Sequence, residues 1–146
     1  MNAGGEEQHL AAQLSASAAA RRVLGVAGVL LTIGIVIGAL GAHALRAVLD
    51  ARQLVSLDTA VDYQLFNALG MLVVGVLMRS GESPRLGRIA AMLMAGIVCF
   101  SGGIYVMLAG ASRLLGFITP VGGVLLILAW AAFAWEMLRH RAPDAR

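Results

Sequence analysis

Charged residues are scarce in this sequence, and lysine is absent. Only 13% of the 146 residues are charged, whereas about a quarter are charged in a typical soluble domain. All 11 basic residues are arginines, scattered along the chain. In a soluble protein the resulting pI near 10 would suggest a nucleic-acid partner. Here the arginines flank long uncharged runs, so we interpret them as membrane anchors and expect no nucleic-acid binding.

Cysteine and recognisable catalytic motifs are also missing. Cys99 is the only cysteine, so an internal disulfide is excluded, and its apolar surroundings indicate a small buried filler. The sequence contains no nucleophile elbow, phosphate-binding loop or cysteine pair. Zinc needs three or four ligands, and His9 and His140 are predicted to lie across the membrane from His43. We therefore predict no catalytic residue, no metal site and no cofactor.

Long apolar runs are what the sequence has in abundance. The hydrocarbon core of a bilayer is about 30 Å thick, and roughly 20 helical residues cross it. The bilayer offers the backbone no hydrogen-bonding partner, so such runs must be helices. Short polar links between them make consecutive helices antiparallel neighbours. The sequence thus predicts an all-α membrane protein, an antiparallel up-down bundle of four transmembrane helices at about 23–45, 59–78, 89–110 and 120–138.

The arginines also predict the orientation. One side of the predicted bundle holds eight of them and the other side three, which are Arg46, Arg52 and Arg113. By the positive-inside rule both termini are cytoplasmic. We expect a flexible cytoplasmic arm over 1–20, a transmembrane domain over 21–140 and a cytoplasmic tail over 141–146. The first run could instead be a cleaved signal ending at 42–44, but it is longer than a signal core, which favours a retained helix.

Polar side chains in the predicted spans gather toward the extracytoplasmic end. Intramembrane polar groups are costly and usually turn inward to meet one another. One interpretation is an outward-facing polar pocket; the other is that the same groups only form hydrogen bonds between helices. Both interpretations use the same candidate residues: His43, Thr59, Asp62, Tyr63, Gln64, Asn67, Ser101, Tyr105 and Thr119.

Glycines at helical spacing predict the packing faces. Gly34, Gly38 and Gly41 form a strip on the first span, and Gly96 and Gly103 belong to another on the third. Small residues at such spacings let helix backbones approach closely.

Several motifs resemble a known family. "GALGAHAL", "TAVDYQLFNALGML", "FSGGIYVM" and "LGFITPVGGVLLILAW" are similar to the domain of unknown function 423 family, which includes eukaryotic transmembrane protein 256. The resemblance covers about residues 24–136 and implies a small four-helix protein of the bacterial inner membrane with no established activity. Asn67 departs from it, because the family motif usually has histidine at that position.

Three functional hypotheses follow. The first is a non-enzymatic accessory or assembly protein, whose partners are the lipid bilayer and other membrane proteins or a second copy of itself. The second is a small-solute or ion permease that uses the outward-facing polar pocket. The third, which the sequence favours least, is a membrane enzyme with His43 as acid or base.

Overall fold

The computed structural model describes residues 3–79, 84–111 and 116–139. The helices are α1 (Ala3–Ala42), α2 (Ala51–Leu77), α3 (Pro84–Ile97), α4 (Gly103–Leu108) and α5 (Ile118–Arg139). A short 3₁₀ helix, Ala44–Ala47, lies between α1 and α2, and a π-helical segment, Val98–Gly102, joins α3 to α4.

Four helical stretches are long and apolar enough to cross a membrane. They are Ala18–Ala42, Ala51–Leu77, Pro84–Leu108 and Ile118–Arg139. The third contains α3, the π-helical segment and α4. The predicted class, an all-α four-helix bundle, is confirmed.

The first span ends, and the second span begins, at residues other than the predicted ones. The first span stops at Ala42, so His43 lies beyond the helix instead of within its last turn. The second begins at Ala51 because Asp50 and Gln53 form a capping box. Gln53 N donates to Asp50 Oδ1 and Asp50 N donates to Gln53 Oε1, both at 2.9 Å. This reciprocal pair satisfies two amide groups that would otherwise lack a partner at the helix start.

The N-terminal segment continues the first helix. The backbone is helical from Ala3 onward, which fits a segment rich in alanine, the strongest helix former. The flexibility and cytoplasmic location of the arm over 1–20 stay predictions. The predicted tail over 141–146 lies outside the described residues.

The helices pack in a fixed order. α1 packs mainly on α2, α2 packs on α3, and α3 with the π-helical segment packs on α5. α2 therefore lies between α1 and α3, while α3 lies between α2 and α5. Side chains of α2 and α5 also line a common groove beside Phe100 of the π-helical segment.

The close-packed apolar core lies near the end of the bundle where α2 stops and α3 starts. Leu93 and Met71 are each 1% exposed, and Val74 is equally buried. α1 contributes the fully buried Ala20 and Ala27, and α5 contributes Leu126 and Ala129. Side chains from all four spans therefore meet at this end of the bundle.

α5 crosses the π-helical segment at a glycine. A Cβ placed on Gly122 would overlap the backbone nitrogen of Phe100 and the carbonyl carbon of Cys99. Backbone atoms cannot move aside as the tip of a side chain can, so only glycine fits here. At Gly102, in the same segment, a Cβ would by contrast meet nothing within 4 Å.

This contrast gives a matched pair of substitutions. Gly122→Ala should lower the free energy of unfolding by about 1–3 kcal/mol, because overpacking forces backbone shifts. Gly102→Ala adds the same methyl group to helical backbone in open space, so it should be neutral or slightly stabilising. Reversible unfolding in mixed micelles measures both. Equal free energies of unfolding for the two variants would contradict the close crossing.

Candidate functional site

A groove opens between α2 and α5. Its volume is about 690 Å³, and its walls are mostly aromatic and aliphatic. The lining residues are Asp62, Tyr63, Phe66, Asn67, Phe100, Gly123, Leu126, Ile127 and Trp130. Of the predicted pocket residues, the structure places Asp62, Tyr63 and Asn67 here.

Stacked aromatic rings line the groove. Tyr63 of α2 stacks on Phe100 of the π-helical segment, with ring centroids 4.5 Å apart. Trp130 of α5 lies 5.8 Å from Phe66 and meets Phe133 edge-on at the same distance. Aromatic contacts of this kind add roughly 0.5–1.5 kcal/mol each beyond the area they bury. The rings therefore connect α2 to the π-helical segment and to α5.

Asn67 and Trp130 form the polar link between α2 and α5. Trp130 Nε1 donates to Asn67 Oδ1 at 2.8 Å, and Asn67 Nδ2 donates to the carbonyl oxygen of Tyr63, also at 2.8 Å. Asn67 is only 3% exposed. Both ends of its amide are thus engaged within the bundle, and the groove keeps an apolar interior.

Gln64 points the other way, toward α1. Its Nε2 donates to the carbonyl oxygen of Leu30 at 2.7 Å, and the residue is 2% exposed. A Cβ on Gly34 would lie 2.7 Å from Leu65 Cδ2 and 3.3 Å from Gln64 Nε2. Glycine at position 34 therefore leaves room for the Gln64 side chain to reach the α1 backbone.

The remaining predicted glycines also face neighbouring helices. A Cβ on Gly38 would meet Val61 at 3.3 Å, and one on Gly41 would meet Leu57 at 2.7 Å. On the third span, a Cβ on Gly96 would meet Leu126 of α5 at 2.5 Å, and one on Gly103 would meet Thr119 Oγ1 at 2.9 Å. The first strip thus faces α2 and the second faces α5.

Three hydroxyl groups are buried without a partner among the described residues. They belong to Ser101, Tyr105 and Thr119, and Ser101 is fully buried. Ser101 lies in the π-helical segment, where each backbone hydrogen bond spans one residue more than in an α-helix. Buried hydroxyls without partners are uncommon and call for an explanation.

His43 and Thr59, like the other predicted residues outside the groove lining, lie in surroundings of their own. His43 is exposed at the start of the 3₁₀ helix and makes no side-chain capping bond. The hydroxyl of Thr59 bonds to the carbonyl oxygen of Val55, one turn back in α2, and Thr59 lines a smaller hollow against α4. The nine predicted residues therefore occupy several separate surroundings in the structure.

The sequence reasoning missed Trp130, Phe100 and Glu136. A tryptophan in the middle of a span was a usable signal, because a buried indole N–H usually finds a partner. Glu136 is 4% exposed, and its Oε2 lies 3.2 Å from Arg85 Nη1. Within the described ranges, no three His, Cys, Asp or Glu side chains are grouped closely enough to hold a metal ion.

Four membrane-length helices, with polar side chains bonded between them, define a multi-pass integral membrane protein. The chain belongs to the family described as Protein of unknown function (DUF423), whose match covers residues 37–123. This confirms the predicted resemblance. The matched stretch includes Gln64, Asn67 and Ser101, whereas Trp130 and Glu136 lie beyond it.

Relatives of similar length occur in several bacteria. The UPF0382 membrane protein SSP2132 of Staphylococcus saprophyticus is 36% identical over 74% of this chain and 88% of its own length. YwdK of Bacillus subtilis is 36% identical over 74% and 87%. The inner membrane protein YgdD of Escherichia coli is 35% identical over 68% and 76%. No solved structure matches the chain.

The bond between Asn67 and Trp130 can be measured by a double-mutant cycle. Asn67→Leu and Trp130→Phe should each destabilise the protein, because each leaves a polar group without its partner inside the bundle. The double variant should lose less than the sum, with a coupling free energy of about 0.6–1.7 kcal/mol in micelle unfolding. Pairing Asn67→Leu with Phe133→Leu should show little coupling. Strict additivity at positions 67 and 130 would contradict the bond.

Proposed function

We propose that this protein is a non-enzymatic accessory protein that works by lateral association with other membrane helices. The observation that supports this is the use of its buried amides. Gln64 bonds to α1, and Asn67 bonds to α5 and to its own helix. Both amides hold neighbouring helices together, as expected of interhelical hydrogen bonds.

An accessory role requires a surface that recognises another transmembrane helix, and α1 offers one. Only 11% of its most apolar window is buried in the bundle, against 50% for α2. Gly25, Gly28 and Thr32 lie on the side of α1 away from α2, one to two turns apart. A Cβ on Gly25 or Gly28 would meet nothing within 4 Å. Thr32 Oγ1 already bonds to the carbonyl oxygen of Gly28 at 2.9 Å.

The partner that fits this surface is α1 of a second copy. Close helix contact needs small residues on both helices. In a two-fold dimer each chain presents the same strip to the other, so the small residues face one another. Because the hydroxyl of Thr32 is bonded within its own helix, the contact buries no unpaired polar group. The accessory protein is therefore a self-assembling unit in the membrane.

Cysteine cross-linking in membranes tests this assembly. In a Cys99→Ser background, Gly28→Cys and Thr32→Cys should each give a disulfide-linked dimer on mild oxidation, because a two-fold contact brings each residue close to its copy. Ile33→Cys is the matched control, since it lies at nearly the same depth but about 100° around the helix. Equal cross-linking at 32 and 33, or none at 28 and 32, would refute the dimer.

The unpartnered hydroxyls favour a second candidate, a permease that binds a small polar solute near Ser101 and Tyr105. Against it stands the buried cluster around Met71 and Leu93, whose members among the described residues are all apolar. Under the accessory proposal, Ser101→Ala should be neutral or stabilise the protein by up to about 1 kcal/mol, because it removes an unpaired buried group.

Reconstituted vesicles distinguish the two candidates. Under the accessory proposal, vesicles that contain the wild-type protein should swell in small neutral solutes at the same rate as protein-free vesicles. The matched control is Ser56→Ala, which removes a hydroxyl that bonds to the carbonyl oxygen of Arg52. Flux that Ser101→Ala abolishes and Ser56→Ala preserves would establish the permease and refute the accessory proposal.

A further inference from the structure

A basic hollow lies between the first turns of α3 and the last turns of α5. Its volume is about 240 Å³. Three arginines, Arg85, Arg88 and Arg139, line it together with Glu136. The three positive charges and one negative charge leave the hollow with a net charge of +2.

Each arginine is held differently. Arg85 bonds to Glu136, which is 4% exposed, and this pair fixes the Arg85 side chain at the wall of the hollow. The guanidinium of Arg139 lies over the ring of Trp135, 5.2 Å from its centroid. Arg88 has no ion-pair partner among the described residues. Arg88 and Arg139 therefore keep N–H donors available for an anion.

The other side of the hollow is apolar. Ile89 and Met92 of α3 and Ala132 of α5 lie beside the arginines, and all three belong to helices that continue into the bilayer. A ligand that fits both halves carries an anionic head and a hydrocarbon tail. Guanidinium groups bind phosphate oxygens in pairs of parallel hydrogen bonds, which makes phosphate the fitting head.

We propose that this hollow binds the phosphate group of an anionic membrane phospholipid. The glycerophosphate lies between Arg88 and Arg139, and the first methylenes of an acyl chain lie on Ile89 and Met92. The hollow lies on the arginine-rich side of the bundle, where basic pockets between transmembrane helices meet lipid headgroups. The assignment is independent of the proposed self-assembly, because it uses α3 and α5, whereas the dimer uses α1.

Lipid-linked stabilisation of the full-length protein tests the site. A ligand that binds only the folded state raises its stability in proportion to occupancy. Phosphatidylglycerol added to the protein in maltoside micelles, whose detergent contains no phosphate, should therefore raise the melting temperature of the wild type. In the Arg88→Gln/Arg139→Gln variant, the phosphatidylglycerol fraction that gives half of the maximal rise in melting temperature should be about tenfold higher or more. The reason is that charge-assisted hydrogen bonds to phosphate are lost. Arg22→Gln/Arg79→Gln removes the same charge outside the hollow and should respond as the wild type does.

Three results would overturn the proposal. If both double variants lost the stabilisation by phosphatidylglycerol equally, the effect would be due to general surface charge. The same stabilisation by inorganic phosphate alone would assign the hollow to a free anion instead of a lipid. If Arg88→Gln/Arg139→Gln does not fold, Arg88→Lys/Arg139→Lys replaces it, since lysine keeps the charge without the paired geometry. A wild-type response from that lysine variant would exclude the guanidinium-specific site.

Discussion

The demand for hydrogen-bonding partners inside a bilayer governs this fold. An amide buried among transmembrane helices finds no water, so its partner must come from a neighbouring helix. Gln64 meets this demand with the backbone of α1, at the carbonyl oxygen of Leu30. Glycine at position 34 leaves room for this contact, because a Cβ there would lie 2.7 Å from Leu65 Cδ2 and 3.3 Å from Gln64 Nε2. The bond and the missing side chain therefore act together where α1 meets α2.

The same demand shapes the groove between α2 and α5. Asn67 accepts from Trp130 and donates to Tyr63, so the indole reaches across from α5 to α2. Both ends of the Asn67 amide are therefore engaged, and a substitution there would leave the indole N–H of Trp130 without its partner inside the bundle.

The sequence predicts the four spans well and the surroundings of individual polar residues poorly. Hydrophobic length sets the four spans, because bilayer thickness fixes how many helical residues are needed. The surroundings of each polar residue depend on helix rotation, which hydropathy does not fix. Gln64 and Asn67 are three residues apart, yet they face different helices. In the third span, the π-helical segment shifts the register, so regular periodicity cannot place Phe100 and Ser101.

The two ends of the bundle differ in the kind of side chain that they bury. Toward the α2–α3 end, buried apolar side chains such as Met71 and Leu93 fill the interior, and the buried Glu136 pairs with Arg85 at its edge. Toward the other end, buried amides join the helices while three hydroxyls stay unpaired. Conduction would need polar groups continuous from one end to the other. The apolar packing at one end and the exposed face of α1 are the features that support our proposal of binding at the surface.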